Sequence, residues 1–207
     1  MTQHLQALLT QLTLAEKASL CSGANAWQTK AIPRLGIPAL WLSDGPHGLR
    51  VEKAHGFYQS LPATCFPTAS ALGATWNEAL LREVVEAICR EAVAQCVHVV
   101  LGPGVNIKRS PLGGRNFEYY SEDPLLSGRL GAAFVRGVQS QGVGACPKHF
   151  TANNQETLRM SVSSEVAARS LREIYLPAFE YLVREAQPWT MMCAYNLVNR
   201  VHASENH

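Results

Sequence analysis

Apolar positions along the chain gather into short runs that are separated by longer amphipathic stretches. Four short apolar runs predict buried strands, and a weaker run predicts one more: residues 37–42, 67–72 (the weaker run), 97–101, 143–146 and 189–194. Most of the runs end at glycine, proline or polar residues, which is typical of a strand that runs into a loop.

Helix signals fill the intervals between the runs. Thr13-Leu-Ala-Glu16 is a capping box that opens a helix over residues 14–20, and Thr75-Trp-Asn-Glu78 is a second one, which starts a long amphipathic helix. Asp123-Pro124 places an N-cap before a proline at the first helical position of a helix that runs to residues 141–142. A further helix is predicted over about residues 165–185.

Strands that alternate with helices predict an α/β fold with a parallel sheet and helices outside it. Two architectures fit this order, an open doubly wound sheet and a (β/α) barrel. A nucleotide-binding open sheet usually places a GxGxxG turn or a P-loop after an early strand, and neither pattern is present. The barrel is therefore favoured, although other open sheets stay possible.

Composition excludes several classes of function. The 207 residues carry 18 basic and 16 acidic side chains without a basic run, so no nucleic-acid partner is expected. No apolar run reaches the length of a membrane span, so no membrane partner is expected. The six cysteines lack zinc-site spacing, and no metal or other cofactor is predicted. Apolar surroundings predict buried free thiols, as at Cys146 and Cys193, and no signal peptide is visible, so a cytoplasmic location is expected.

Polar residues with chemical potential follow the apolar runs directly. Asp44 follows the first run, Lys148-His149 follows another, and Tyr195-Asn196 follows the last; a long loop between them holds Lys108, Arg109, Arg115, Asn116 and Glu118. All strand ends of one kind open on the same face of a parallel barrel, so these segments are expected to converge. Such a cup suits a small polyhydroxylated ligand, with Trp41 and Tyr195 against its apolar face.

Each of these residues also has an ordinary structural explanation. Asp44 fits a turn residue that bonds its own backbone, and Lys148 fits a lysine whose stem lies on apolar surface. Glu118 is interpreted as the partner of Arg115 in an ion pair within the loop, and Asp123 as a helix cap. The coincidence of polar residues after several strands favours a binding site over these separate explanations.

Five segments, in this order along the chain, resemble glycoside hydrolase family 3, in particular its bacterial β-glucosidase branch. They are LSDGPHGLR (42–50), LGPGVNIKRSPLGGRNFEYYSEDPLLSG (101–128), KHFTANNQE (148–156), RSLREIYLPAFE (169–180) and MMCAYNLVN (191–199). The resemblance implies an α/β fold, an incomplete (β/α)8 TIM-barrel-like domain with roughly the first five of eight strands, over residues 1–207.

The same resemblance implies residue roles at the subsite for the terminal sugar. Asp44 would bind the outer hydroxyls, with Arg50, Arg115, Lys148 and His149 around the same ring. Tyr195 would lie beside the reacting centre with Met192 near it. The segment 148–156 differs from the KHFPGHG-type loop of the family's N-acetylglucosaminidases, which favours plain β-glucosides or related β-glycosides.

Family members are retaining hydrolases, which need a carboxylate nucleophile and an acid/base carboxyl group. The resemblance implies a nucleophile in a Ser-Asp-Trp segment, and this sequence has none; its only aspartates are Asp44 and Asp123. We therefore expect the nucleophile, the acid/base Glu and a C-terminal α/β domain to lie beyond residue 207. The chain alone is expected to lack hydrolase activity.

Other interpretations stay open. The chain could be a non-catalytic sugar-binding fragment, or a subunit that needs a complementing chain. An unrelated α/β enzyme, such as an aldolase with Lys148 as a Schiff base, is a further alternative. A barrel cut before closure leaves an unpaired strand edge, so self-association through that edge is expected.

Overall fold

The structure is a computed structural model, and it describes residues 3–45, 47–52 and 60–207. The α-helices are α1 (Gln3–Gln11), α2 (Leu14–Leu20), α3 (Ala69–Thr75), α4 (Glu78–Ala94), α5 (Pro124–Ser140), α6 (Ala168–Ser170) and α7 (Pro177–Ala186). The strands are β1 (Leu42–Ser43), β2 (Val99–Val100), β3 (Gly144–Ala145), β4 (Ser163–Ser164), β5 (Leu197–Val198) and β6 (Val201–His202). Short 3-10 helices cover Pro33–Leu35 and Asn116–Glu118, and a π-helical turn covers Leu171–Tyr175.

Strands β1, β2 and β3 form a parallel sheet in chain order, with Leu42 opposite Val99 and Val99 opposite Gly144. Helix α5 connects β2 to β3, so the strand–helix alternation predicted from the sequence is confirmed. Residues 190–194 lie along the free side of β3, since the amides of Thr190 and Met192 donate to Ala145 and Pro147. The predicted last strand therefore keeps its position, although it forms only an isolated bridge from Cys193 to Phe150.

Capping chemistry explains where three of the helices begin. The Thr13 side chain accepts from the amide of Glu16, and the Glu16 side chain accepts from the amide of Thr13. The predicted capping box is therefore confirmed. Asp123 caps α5, as predicted. The second predicted capping box is wrong: the cap of α4 is Asn77, whose side chain accepts from the amide of Leu80.

The strand predicted over residues 67–72 is wrong, because this segment enters helix α3. Thr68 has extended backbone and its hydroxyl accepts from the amide of Ala71, which makes it an N-cap. The following residues are mostly alanine and leucine, which favour helix. Their apolar run is the buried side of a short helix with Ala69, Leu72 and Gly73 against the core.

The helix predicted over about residues 165–185 is divided. A short helix α6 and a π-helical turn precede α7, which starts at Pro177. Proline lacks an amide hydrogen and is tolerated only at the start of a helix, so it sets this boundary. A small second sheet was not predicted: β4 pairs with β5 in parallel, and β5 pairs with β6 in antiparallel orientation.

The main core lies between the sheet and the helices α4, α5 and α7. Val85, Leu130 and Leu182 are fully buried there, one from each helix. The side chains of successive β2 residues lie on opposite faces of the sheet. Val100 belongs to the main core, whereas Val99 packs in a smaller cluster with Leu101, Cys146 and Trp27 on the opposite face. That opposite face carries the site described below.

Cysteine burial differs from the prediction. Cys146 and Cys89 are buried, but Cys193 is exposed, as are Cys21, Cys65 and Cys96. The side chain of Cys193 lies on the outer side of its segment. Apolar neighbours in the sequence do not indicate on which side a residue lies. Among the described helices, none is long and apolar enough to cross a membrane.

Candidate functional site

A cavity of about 570 Å³ opens beyond the carboxyl ends of the parallel strands. Its lining includes all seven residues predicted for the site: Asp44, Arg50, Arg115, Lys148, His149, Met192 and Tyr195. It also includes Ala26, Trp27, Glu52, Leu101, Phe117, Glu118 and Arg159. This position is where active sites of parallel barrels lie, and the volume suits a small ligand.

The carboxylate of Asp44 lies directly after β1 and is held by two cations. Lys148 Nζ lies 2.6 Å from Oδ1, and Arg50 Nη2 lies 3.2 Å from Oδ2. Burial favours the neutral form of Asp44, but the charge and hydrogen bond of Lys148, with a smaller effect of Arg50, hold its pKa below its usual range. Asp44 is therefore an ionised acceptor at neutral pH.

The chain reverses immediately after Asp44 to bring Arg50 back beside it. The amide of Arg50 donates to the carbonyl of Asp44 at 2.8 Å. Gly45 has φ +150°, and a Cβ there would lie 1.8 Å from the carbonyl oxygen of Gly48. Only glycine fits such a close backbone approach, so this part of the motif serves the geometry of the turn.

Glu118 and Arg115 form a second charged group deep in the cavity. Their side chains are ion-paired, as the sequence predicted, and Glu118 Oε2 also lies 3.4 Å from Lys148 Nζ. Lys148 and Glu118 are each only 2% exposed. Burial disfavours the charged form of Arg115, yet the hydrogen bond and charge of Glu118 outweigh it and raise the pKa of Arg115. Lys148 thus joins two carboxylates and is not a lysine whose head reaches solvent.

His149 is held by a chain of hydrogen bonds behind the cavity wall. Asn153 Nδ2 donates to the Tyr119 hydroxyl at 3.3 Å, and that hydroxyl lies 3.1 Å from His149 Nδ1. Burial raises the pKa of Tyr119, so its hydroxyl stays protonated at neutral pH. This contact fixes the orientation of the imidazole ring, whose Nδ1 faces Tyr119.

Burial also sets the charge of His149. It lowers the pKa of the imidazole to about 2, with smaller contributions from the positive charges of Arg115, Lys148 and Arg159. His149 is consequently neutral at any ordinary pH and offers a hydrogen-bonding ring nitrogen without a further positive charge. Asn106 fixes its backbone on both sides, since its side chain donates to the His149 carbonyl and accepts from the His149 amide.

Of the two aromatic residues expected at the ligand, Tyr195 lines the cavity and Trp41 does not. Trp41 packs against the main core and does not line the cavity, whereas Trp27 does. The sequence signal for Trp27 is a tryptophan in an otherwise polar stretch, and it lies outside the residues that directly follow the apolar runs. The position of Trp27 is fixed by β1, because the Leu42 amide donates to its carbonyl at 2.7 Å.

Glu52 and Arg159 are further cavity residues that the sequence did not single out. The Arg159 guanidinium lies 5.4 Å from the centroid of the Tyr195 ring and 2.9 Å from Glu156. This places a cation between an aromatic residue of the cavity and a neighbouring carboxylate. Glu52 lies near the other end of the lining, beside Trp27.

Several polar loop residues have structural roles away from the cavity. Lys108 donates to the Ser70 hydroxyl, and the Asn116 side chain donates to the Ser110 carbonyl. Arg109 lines a separate cavity together with Asn154. Asn196 is buried behind the site and donates to the Thr151 carbonyl. These residues shape the loops that carry the site.

Within the described ranges, no group of three His, Cys, Asp or Glu side chains is arranged to hold a metal ion. What the cavity offers is a set of fixed donors and acceptors: guanidinium and ammonium groups, a neutral imidazole and carboxylates. Sugar hydroxyls both donate and accept, so this mixture matches a polyhydroxylated ring. The described residues thus form a parallel α/β fold with a cavity that suits a small polyhydroxylated ligand.

Comparison with known proteins gives the family. The model of the glycosyl hydrolase family 3 N-terminal domain matches residues 6–207, and the chain belongs to that family. The whole chain is 52% identical to part of a thermostable β-glucosidase B from Acetivibrio thermocellus, and 51% identical to part of an exo-α-(1→6)-L-arabinopyranosidase from Bifidobacterium longum. It covers 28% of each relative, so the chain spans just over a quarter of their length.

Solved structures agree with this assignment. Glucose-bound β-glucosidase 3B from Thermotoga neapolitana matches 98% of this chain, over 30% of its own, with a TM-score of 0.92 and 46% identity. A family 3 β-glucosidase from Bifidobacterium adolescentis matches 96%, over 28% of its own chain, with a TM-score of 0.90 and 54% identity. The predicted resemblance and the TIM-barrel-like α/β fold class are thereby confirmed.

Proposed function

We propose that this chain is the sugar-binding part of a retaining family 3 glycosidase that removes terminal β-D-glucosyl residues. The observation that carries the proposal is the convergence of Asp44, Arg115, Lys148 and His149 on one cavity beyond the strand ends. Family membership and the glucose found with a structural relative support a small carbohydrate as ligand. The subsite roles of the seven predicted residues are part of the proposal.

Each group in the cavity has a defined task in binding. The Asp44 carboxylate accepts hydrogen bonds from two ring hydroxyls, while Lys148 and Arg50 hold it in place. Arg115 and Lys148 donate to hydroxyl oxygens, and neutral His149 adds a hydrogen-bonding nitrogen that does not attract anions. Tyr195 offers an aromatic surface for an apolar face of the sugar.

The proposed mechanism takes its nucleophile and its acid/base group from residues outside this chain. Retaining hydrolysis needs a carboxylate at the anomeric carbon. Asp44 is held by two cations, and Asp123 accepts a helix amide at 2.6 Å, so both carboxylates already have tasks. The proposal includes later barrel strands and a second α/β domain that supply the missing groups.

The proposal predicts that the 207-residue chain binds D-glucose and does not hydrolyse an aryl β-glucoside. Asp44→Asn removes the charged acceptor, so we expect at least a tenfold rise in the Kd for glucose, measured by titration calorimetry. Asp123→Asn is the matched control, because asparagine also caps a helix, and its Kd should equal that of the unmodified chain. Equal affinities for Asp44→Asn and Asp123→Asn would contradict the binding role.

Two alternatives are separated by the same samples. A non-catalytic sugar-binding fragment would bind the sugar without hydrolysis, whereas a subunit that needs a complementing chain would hydrolyse it only after that polypeptide is added. Hydrolysis by the chain alone that Asp44→Ala abolishes would overturn the assignment of the nucleophile to other residues. An aldolase is disfavoured by the ion pairs of Lys148, since Schiff-base chemistry needs a neutral, free amine.

The arabinopyranosidase among the relatives makes the sugar itself worth testing. L-arabinopyranose lacks the hydroxymethyl group of glucose but keeps a pyranose ring with neighbouring hydroxyls. We expect tighter binding of D-glucose than of L-arabinose, and the reverse order would move the proposed substrate to α-L-arabinopyranosides within the same cavity.

A further inference from the structure

Glu52 is a buried carboxylate of the cavity, and no cation among the described residues forms an ion pair with it. Its residue is 7% exposed and lines the cavity. In the described part of the chain it forms no ion pair, and its side chain has one hydrogen bond, which the indole Nε1–H of Trp27 donates at 3.2 Å. The other two carboxylates of the lining differ, because Asp44 and Glu118 each contact two cations.

A carboxylate can accept about four hydrogen bonds, and among the described residues only the Trp27 indole donates to Glu52. A ligand in the cavity can supply further hydrogen-bond donors at that position. The other charged groups of the lining are mostly donors: Arg50, Arg115, Lys148 and Arg159. A hydroxylated ring whose oxygens accept from these groups still has hydroxyl hydrogens to donate, and Glu52 is an acceptor for them.

The geometry of the segment directs Glu52 to the cavity and not to the core. Arg50 and Glu52 both line the cavity, while Val51 between them is buried in the main core. This alternation is the period of two expected for extended chain. Asp44 and Arg50 form an antiparallel bridge, so Glu52 lies two residues beyond the Asp44–Arg50 ion pair.

Trp27 gives this carboxylate a fixed position. Its backbone is bound to β1, and its ring packs in the cluster of Val99, Leu101 and Cys146. The indole N–H is therefore held in a fixed position. The Glu52 oxygen that accepts from it is already ordered before a ligand binds. Pre-organised acceptors of this kind contribute to specificity because they lose little conformational entropy on binding.

We propose that Glu52, held by Trp27, is a specificity-determining residue that accepts a hydrogen bond from a hydroxyl of the sugar in the cavity. This inference rests on the proposed function, since it assigns a second acceptor to the same ligand. It selects for a hydroxylated ring: a sugar that lacks the contacted hydroxyl leaves a buried carboxylate unsatisfied and binds less tightly.

The experiment compares glucose with its monodeoxy derivatives, each titrated into the 207-residue chain and its variants. For the unmodified chain we expect one or more monodeoxyglucoses to bind at least tenfold more weakly than glucose. Glu52→Gln should weaken glucose binding about tenfold and bring the ratio for one of those derivatives close to one. Glu122→Gln, on an exposed loop, is the control and should leave every Kd unchanged.

A second variant keeps the inference testable if Glu52→Gln does not fold. Trp27→Phe retains an aromatic ring and removes the indole donor. We expect the ratio of the Kd for the same monodeoxyglucose to the Kd for glucose to fall two- to fivefold. Circular dichroism of each variant shows whether it is folded.

The outcomes distinguish this inference from the proposed function. Loss of glucose binding in Asp44→Asn, with unchanged affinity and discrimination in Glu52→Gln and Trp27→Phe, overturns the role of Glu52 and leaves the proposed function standing. Absence of glucose binding by the unmodified folded chain overturns both.

Discussion

At the residue scale, the buried charges of the cavity form ion pairs that share the cation of Lys148. Lys148 contacts Asp44 and Glu118, and Glu118 also contacts Arg115, so two carboxylates and two cations neutralise one another. An isolated charge at this depth would be very costly, whereas a connected group has a smaller cost and a fixed geometry. The neutral state of His149 belongs to the same balance, because a third cation beside Arg115 and Lys148 would be repelled.

The buried imidazole predicts a pH dependence of stability. In the unfolded chain His149 binds a proton near pH 6.5, whereas in the folded chain it does so only near pH 2. Between these values the unfolded state binds more protons, so the free energy of unfolding falls as the pH falls from 6.5, by up to about 1.4 kcal/mol per pH unit. Urea denaturation of His149→Gln should show a flatter dependence between pH 6.5 and 4.5.

Two comparisons isolate this effect. Asp44 also has a lowered pKa, but its contribution is present above its unfolded pKa of about 3.8 and is lost below it, outside the window used. His4→Gln, on the exposed side of α1, is the control and should keep the dependence of the unmodified chain. Parallel curves for His149→Gln and the unmodified chain would refute the buried neutral imidazole.

At the element scale, the helices hold the site in place, because the strands themselves are only two residues long. Helices α5 and α7 pack closely at small residues: a Cβ on Gly131 would lie 2.9 Å from Val105 Cγ1 and 3.1 Å from Leu182 Cδ2. Val105 is in the segment that follows β2, and its amide donates to the Lys148 carbonyl. The helix interface therefore supports the backbone that carries a cavity residue.

We expect Leu182→Ala to lower the free energy of unfolding by about 2–5 kcal/mol, because it leaves a cavity between α5 and α7 at a fully buried position. Val183→Ala, on the same helix and 50% exposed, should cost less than about 1 kcal/mol. Urea denaturation of the three chains measures both values. Similar losses for the two variants would show that this interface does not support the fold.

At the scale of the whole molecule, the parallel sheet ends at residues 190–194, whose outward amides have no partner among the described residues. Thr190, Met192 and Ala194 donate towards the β3 side, while the alternate amides of Met191 and Cys193 donate to no residue within the described ranges. Phe150 and Tyr195, near this edge, are exposed. An open edge with apolar side chains beside it is a surface on which another strand can pair.

We expect the 207-residue chain to self-associate with rising concentration, with an apparent mass above 22.6 kDa in sedimentation velocity under reducing conditions. Cys193→Lys should shift the association to at least tenfold higher concentration, because lysine on an edge strand opposes pairing. Cys21→Lys, at an exposed cysteine after α2, is the matched control and should not change the association. A concentration-independent monomer would contradict the role of this edge.

Local signals predicted those features that depend on neighbouring residues. The Thr13 and Asp123 caps, the strand–helix alternation and the Arg115–Glu118 pair all involve groups within a few positions of each other. The errors at residues 67–72 and at Thr75 have a local cause as well. A short apolar run such as residues 67–72 fits either a strand or a helix, and Thr75 and Asn77 are both residue types that can cap a helix.

The amino-acid sequence by itself determined the fold class, the family and the set of polar residues that follow the strands. It did so because periodicity, caps and motif order are properties of the chain alone. Only the tertiary structure decided that Lys148 lies between Asp44 and Glu118 and that Trp27 and not Trp41 lines the cavity. It also decided that Glu52 lies in the cavity beside Trp27, with no ion pair to any described residue. These facts depend on which distant segments meet and on which face of the sheet each side chain lies, and sequence spacing does not fix either.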